Sequence, residues 1–169
     1  MVGCYIIFRQ EVNQVMTPQT APTAQAEADA IAKEFGFFDD WEDRYQLLID
    51  QGRKLAPFPG HLRDDSHRLS GCQSVVYFAY ERDSSDVVTF MAEADAAIVQ
   101  GLVALLLRVY SGRPAAEIRE TEPKFLAEIG LDSHLSATRK NGLASMLGAI
   151  KSAAESTPPD GKGAKDLFG

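Results

Sequence analysis

Between Asp95 and Tyr110 the chain reads DAAIVQGLVALLLRVY, and Gln100 and Arg108 are the only strongly polar residues inside that stretch. A helix that is apolar around most of its circumference has no face to give to water, so it must run through the centre of a folded unit. No part of the sequence holds roughly 18 or more apolar residues without a charge, so a membrane span is not expected. The rest of the chain must therefore wrap this helix. At 169 residues, 45% hydrophobic and 24% charged, it has enough material for one well-formed core without metals or disulfides to hold it.

The wrapping elements can be read from period and punctuation. Ala26–Phe35 reads as a short helix ended by Gly36. Asp39 or Asp40 caps a second, Trp41–Gln51, in which Trp41, Tyr45, Leu48 and Ile49 recur at helical spacing while Glu42 and Asp43 favour its positive end. Gly52 closes it, and Pro57-Phe58-Pro59-Gly60 forbids continuation. The period then becomes extended. Val75–Arg82 reads as a strand, Asp83-Ser84-Ser85-Asp86 as a turn and Val87–Met91 as the returning strand, with His67–Leu69 as a short third. An isolated hairpin is marginal in water, so helices must cover one face. After the central helix, Pro114 and Pro123 each stand at the first position of a shorter helix, and Gly130 ends the second. Ser136 caps a last helix, Ala137–Ala154, with Leu143, Met146, Leu147 and Ile150 on one face.

The expected fold is α+β, a small antiparallel three-stranded sheet covered by helices on one side. Residues 1–25 read as a flexible or mis-started leader, with Met16 an alternative start to Met1. Residues 26–155 form the domain. Residues 156–169, with little apolar surface, read as a disordered tail.

A net charge of −7 argues against binding phosphate backbones, which rests on Lys and Arg, so no nucleic-acid partner is expected. The two cysteines, Cys4 and Cys72, do not make a disulfide framework. Val2–Phe8 is too short for a signal-peptide core and is followed by Arg9 and Glu11, which together point to a reducing, cytoplasmic setting.

Chemistry concentrates at Leu69-Ser70-Gly71-Cys72-Gln73-Ser74, a turn between extended pieces. A free cysteine is most often a small buried hydrophobe. The polar Gly/Gln/Ser setting beside basic residues favours a reactive thiol instead, because the thiolate is the nucleophile and positive charge stabilises it. An unperturbed thiol is only about 3% ionised at pH 7, so a cationic neighbour would help; His67, Arg68 and Arg139 are the candidates.

The pattern around that thiol resembles the SufE family of sulfur acceptors, which includes the CsdE relatives. Arg44-Tyr45, Gly71-Cys72-Gln73-Ser74 with Tyr77 where the family usually has Trp, and Asp95-Ala96-Ala97-Ile98-Val99 followed by Gly101-Leu102 match in order. So do Tyr110, Pro114/Ile118 and the run His134-Leu135, Arg139, Gly142-Leu143, Met146 and Ile150, giving agreement from Phe35 to Ala154. The resemblance implies a SufE/IscU-like fold. It implies that Cys72 accepts persulfide sulfur from a pyridoxal-phosphate cysteine desulfurase (SufS/CsdA-like), stimulates that enzyme and delivers the sulfur to a SufBCD-like scaffold for iron–sulfur cluster assembly. The chain would have no cofactor of its own, since the pyridoxal phosphate sits on the partner. It would act as a sulfurtransferase-like carrier only with that partner, as monomer or homodimer. Supporting residues would be Arg139 and His134, which stabilise thiolate or persulfide or contact the partner. Asp95 either caps the central helix or lies by the cysteine loop. Gly71, Gln73, Ser74 and Arg68 would shape the loop or the docking surface, and the loop would shelter Cys72 at rest and extend it on docking.

Three other readings compete. A papain-like cysteine hydrolase needs its cysteine at a helix start with His and Asn roughly 130–150 residues later, more than this chain offers after Cys72. A metal or cluster scaffold needs several converging ligands, and the domain holds one cysteine, so no metal is expected. A desulfurase adaptor that accepts no sulfur would keep its effect in Cys72→Ser.

Overall fold

The computed structural model describes residues 22–71 and 73–156; most of the leader, with both candidate starts, as well as both cysteines and residues 157–169, lie outside the described residues. Helix α1 spans Ala24–Gly36, α2 Trp41–Arg53 and α3 Ala97–Tyr110. Within α3, Leu102, Val103, Leu105, Leu106, Val109 and Tyr110 are all at most 1% exposed. Removing each such side chain from water contributes about 1.5–3 kcal/mol, which is why this segment becomes the axis of the fold. Its two polar residues both have partners. The Gln100 Oε1 accepts from the Ala94 N–H at 2.6 Å, fastening the helix start to the preceding strand. Arg108 leaves the core and donates to Glu27 at 3.1 Å and, through two nitrogens, to Glu34 at 2.8 Å each, fastening α1.

Helix α2 starts at the Asp40 cap, whose carboxylate accepts from the Asp43 N–H at 2.9 Å. It crosses α3 at glycine on both sides. A Cβ at Gly52 would lie 2.7 Å from the Gly101 nitrogen, and one at Gly101 would lie 2.7 Å from the Leu48 carbonyl carbon, so the two backbones meet with no room for a side chain between them.

Strands β1 (Val76–Arg82) and β2 (Val87–Ala94) form the expected hairpin, paired from Val76↔Ala94 to Arg82↔Val88. Asp83 Oδ1 accepts the N–H of Ser85 and of Val87 in the turn, and Asp86 takes φ 67°. The face bearing Val76, Val88, Phe90 and Ala92 packs into the core around α3, while Ala79 on the other face joins Phe58 and Leu62 in a smaller cluster.

The third strand is not His67–Leu69. Asp64 accepts from the N–H of Ser66 and His67 and winds Asp65–His67 into a 3-10 turn, leaving only Arg68 bridged to Tyr77. The third strand β3 is Arg113–Pro114, where the chain leaving α3 runs back along β2 with Val88 opposite Arg113. The sheet is antiparallel in the order β1-β2-β3.

Four helices complete the domain: α4 (Ala115–Glu120), α5 (Phe125–Glu128), α6 (Leu131–His134) and α7 (Ala137–Glu155). Pro114 caps α4 and Pro123 precedes the Lys124 cap of α5, so neither proline is itself a first helical residue. Lys151 on α7 closes α4, its Nζ donating to the carbonyls of Ile118, Arg119 and Thr121 at 2.6, 3.0 and 2.7 Å. Ser136 stands at the cap of α7, but its hydroxyl makes no capping bond.

Candidate functional site

The expected reactive residue, Cys72, lies outside the described residues, while its neighbours on both sides are described. The segment that carries it is closed at the base. The Leu69 N–H donates to the Val76 carbonyl at 2.9 Å, and Arg68 opposite Tyr77 extends that pairing by one residue. Asp95 does not cap α3. The cap is Ala96, with no side-chain bond, because Asp95 stands one residue too early. Its carboxylate instead accepts from the Val75 N–H at 3.1 Å, and its own N–H donates to the Val75 carbonyl at 3.2 Å. Asp95 is thus the tie between the second limb of the cysteine loop and the start of the central helix.

Gly71 shows why glycine precedes the cysteine. Its φ is +87°, and a Cβ there would lie 2.7 Å from Ser145 Oγ on α7. The left-handed backbone strains any residue with a side chain there, and a Cβ would also oblige the Ser145 side chain to turn aside. Sequence reasoning misses Ser145, which carries no signal there beyond that of an ordinary polar residue on a helix.

Past Gly71 the loop borders a groove of about 680 Å³ between α2, the start of α3 and the start of α7. Gln73 and Ser74 line it on the loop side, Ile98 and Leu102 at the back, and Arg139 and Met146 on α7. Positions 139, 142 and 146 share one face of α7 through their i, i+3, i+7 spacing. The groove is mainly apolar with one guanidinium at its edge. Arg139 is exposed and makes no ion pair with any described residue. A positive charge left uncommitted at the edge of a groove can stabilise an anion held there.

The structure does not bring the remaining candidates into that groove. His134 stacks its ring on Trp41, with centroids 3.5 Å apart, and its Nδ1 lies 3.1 Å from the Gly130 carbonyl. The Arg44 guanidinium lies over the same Trp41 ring, 5.2 Å from its centroid, and the Tyr45 hydroxyl donates to the His134 carbonyl at 2.8 Å. His134 therefore fixes the junction before α7, and so the place from which Arg139 projects. Arg68 belongs to the β-bridge and to a different groove, beside β1. His67 Nδ1 lies 2.9 Å from Asp64, whose carboxyl is pulled down to about 2, first by the Ser66 hydroxyl and then by His67. Among the described residues no three His, Cys, Asp or Glu side chains converge as a metal site, and no helix is long and apolar enough to cross a membrane.

The family model described as "SufE: Fe-S metabolism associated domain" matches residues 29–154. An uncharacterized SufE-like protein of Rhizobium meliloti (strain 1021) is 42% identical over 135 residues, covering 78% of this chain and 96% of that protein. A second uncharacterized SufE-like protein, from Rhizobium etli, is 37% identical over 134 residues, covering 77% of this chain and 90% of the relative. The solution structure of a hypothetical protein from Thermus thermophilus shares the fold with a TM-score of 0.63 at 20% identity, over 76% of this chain and 93% of that one. The matched span begins inside α1 and runs almost to the end of α7, so it contains the hairpin, the pinned loop and the groove: the chain belongs to the SufE family, whose domain is associated with iron–sulfur metabolism.

Proposed function

We propose that the protein is a sulfur carrier that receives persulfide sulfur on Cys72 from a cysteine desulfurase and passes it on for iron–sulfur cluster assembly. The observation that carries this reading is the frame around position 72. Gly71 is pressed against α7, Gln73 and Ser74 border the groove, Asp95 ties the far limb, and Arg139 supplies an uncommitted cation. Covalent continuity keeps Cys72 within one residue of Gly71 and of Gln73.

In the transfer step the Cys72 thiolate attacks the terminal sulfur of a persulfide on the partner's cysteine. The partner's S–S bond breaks and its cysteine leaves as thiolate, while Cys72 gains one sulfur as a persulfide anion. Electrons balance without an oxidant, since this is thiol–disulfide exchange with sulfur as the transferred atom. Arg139 lowers the energy of the anion before and after the transfer. The apolar walls of the groove keep stray thiols and water from the persulfide, and outward movement of the loop presents it to donor and acceptor. The desulfurase brings the pyridoxal phosphate, and the scaffold that builds the cluster takes the sulfur.

Intact-protein mass spectrometry after incubation with a desulfurase and free cysteine tests the proposal on wild type, Cys72→Ser and Cys4→Ser. Added sulfur on wild type and Cys4→Ser, absent from Cys72→Ser, is the expected result. Stimulation of the desulfurase that survives Cys72→Ser, with no sulfur added to any variant, would replace the carrier with an adaptor.

A further inference from the structure

Strand β1 is an edge of the sheet, and among the described residues its outer side is only partly occupied. The bond from Leu69 N–H to the Val76 carbonyl fixes which residues face outward: 76, 78, 80 and 82 point their backbone groups away from β2. The bridge at Arg68 ends the pairing at Tyr77, so beyond it the Tyr80 N–H and C=O have no backbone partner among the described residues. Exposed edges are ready templates for another strand, and proteins cover or blunt them. Alongside this edge runs a mostly apolar groove of about 370 Å³, lined by Leu62, Leu69, Phe78 and Tyr80 with His67 and Arg68 among them, and ending at Ser156. Tyr80 is 40% exposed there, a large ring left half in water beside an apolar groove.

The chain itself leaves the described fold at this groove. Arg82, the last residue of β1, donates to the carbonyl of Ser156, so the described chain ends beside this edge. From there the chain continues TPPDGKGAKDLFG. Pro159-Asp160-Gly161 is a turn signature with a mechanism, proline presetting φ and glycine accepting the left-handed position. Beyond it, Leu167-Phe168 is the only pair of large apolar residues in the segment. The eleven residues that follow Ser156, through Leu167, span up to roughly 36–40 Å when extended, ample for the segment to go out, turn and come back. The segment also lies beyond the family match, which stops at residue 154, so the family domain does not account for it.

We infer that residues 162–168 fold back along the outer edge of β1 and seat Leu167 and Phe168 in the groove beside Tyr80. The mode is strand addition: backbone bonds to Tyr80 and Arg82 give the attachment, and the apolar pair gives the register. Because Arg68 and Leu69 form one wall of that groove and also the first limb of the cysteine loop, the seated segment braces the loop from the β1 side. The docking itself does not depend on the sulfur-carrier reading.

Amide hydrogen exchange by NMR on the full chain tests the inference, comparing wild type with the double variant Leu167→Ser/Phe168→Ser. In wild type the amides of Tyr80, Arg82 and Leu167 exchange roughly tenfold or more slowly than unprotected amides, and the double variant loses that protection at all three. Leu105 in α3 is unchanged, which shows that the fold persists. Unprotected exchange of Leu167 in wild type would overturn the inference. So would protection that disappears on dilution, because the occupant would then be a second copy of the chain.

Discussion

Gly101→Ala places a methyl group where α2 and α3 touch. The added Cβ would stand 2.7 Å from both the carbonyl carbon and the Cγ of Leu48, whereas carbon atoms settle about 3.5–4.0 Å apart. The obstacle is mainly backbone, so no rotamer change relieves it, and the helices must move apart by about 1 Å. Alanine gains about 1 kcal/mol of helix propensity over glycine, while overpacking costs about 1–3 kcal/mol and more where backbone must shift. Separation also loosens Leu48, which is fully buried against α3, so the net loss should be about 1–3 kcal/mol. For a domain of this size that lowers the melting temperature by roughly 3–10 °C. Gly148→Ala on α7 is the matched control, since nothing lies within 4 Å of its added Cβ and only propensity acts, raising stability by up to about 1 kcal/mol. Thermal and urea unfolding followed by far-UV circular dichroism measure both. Equal stability of the two variants would refute the claim that the α2–α3 crossing requires bare backbone. Ile49 and Leu102 come from opposite sides of that crossing to line one groove, so the destabilised variant should also alter access at the site.

Asp95→Ala removes the acceptor for the Val75 N–H, and in a Cys4→Ser background the Cys72 thiol should react several-fold faster with a maleimide while the melting temperature falls by little, because the lost bond is exposed. Unchanged labelling would mean that the tie does not restrain the loop. Arg108, chiefly by hydrogen bonding, holds the Glu34 carboxyl below its ordinary range. A carboxyl depressed on folding stabilises above its unfolded pKa and loses that contribution as pH falls through the folded value. Glu34→Gln should therefore flatten the decline in stability from about pH 5 downward, measured as urea midpoints against pH. His134→Ala uncovers the ring of Trp41, the sole tryptophan, so its emission should shift to the red at unchanged helix content.

The central helix, α2, the hairpin and α7 were legible because each is written in local pattern: an apolar period, a cap or a four-residue turn. The third strand was not. Arg113-Pro114 is two residues long and exists because β2 lies beside the exit of α3, a tertiary fact with no local signature. His67–Leu69 has strand-like neighbours, but Asp64 captures two N–H groups and turns the chain into a 3-10 bend first, a case of side-chain-to-backbone bonding winning over propensity. Asp95 misled for a related reason. Its type suits a helix cap, and only the register of β1 against β2, which brings Val75 opposite, decides that it serves the loop.

The site shows the same division between residue and arrangement. Gly71, Gln73, Ser74 and Arg139 were each visible as types suited to thiol chemistry, yet the loop and the start of α7 lie far apart in the chain, and sequence distance of that size carries no geometry. What joins the two is a chain of contacts. The Tyr45 hydroxyl holds the His134 carbonyl, the Trp41 ring holds the His134 ring, and α2, which bears both aromatics, is locked to α3 through bare glycine. Asp95 at the start of α3 then holds the cysteine loop. A change at the glycine crossing should therefore reach Cys72 along two routes, through Asp95 and through Arg139. If Gly101→Ala and Asp95→Ala are combined, their effects on the labelling rate of Cys72 should fall short of the product of the two single effects, because they share the first route. Fully multiplicative rates would show instead that the helix crossing and the loop tie act independently, and that α3 does not transmit between them.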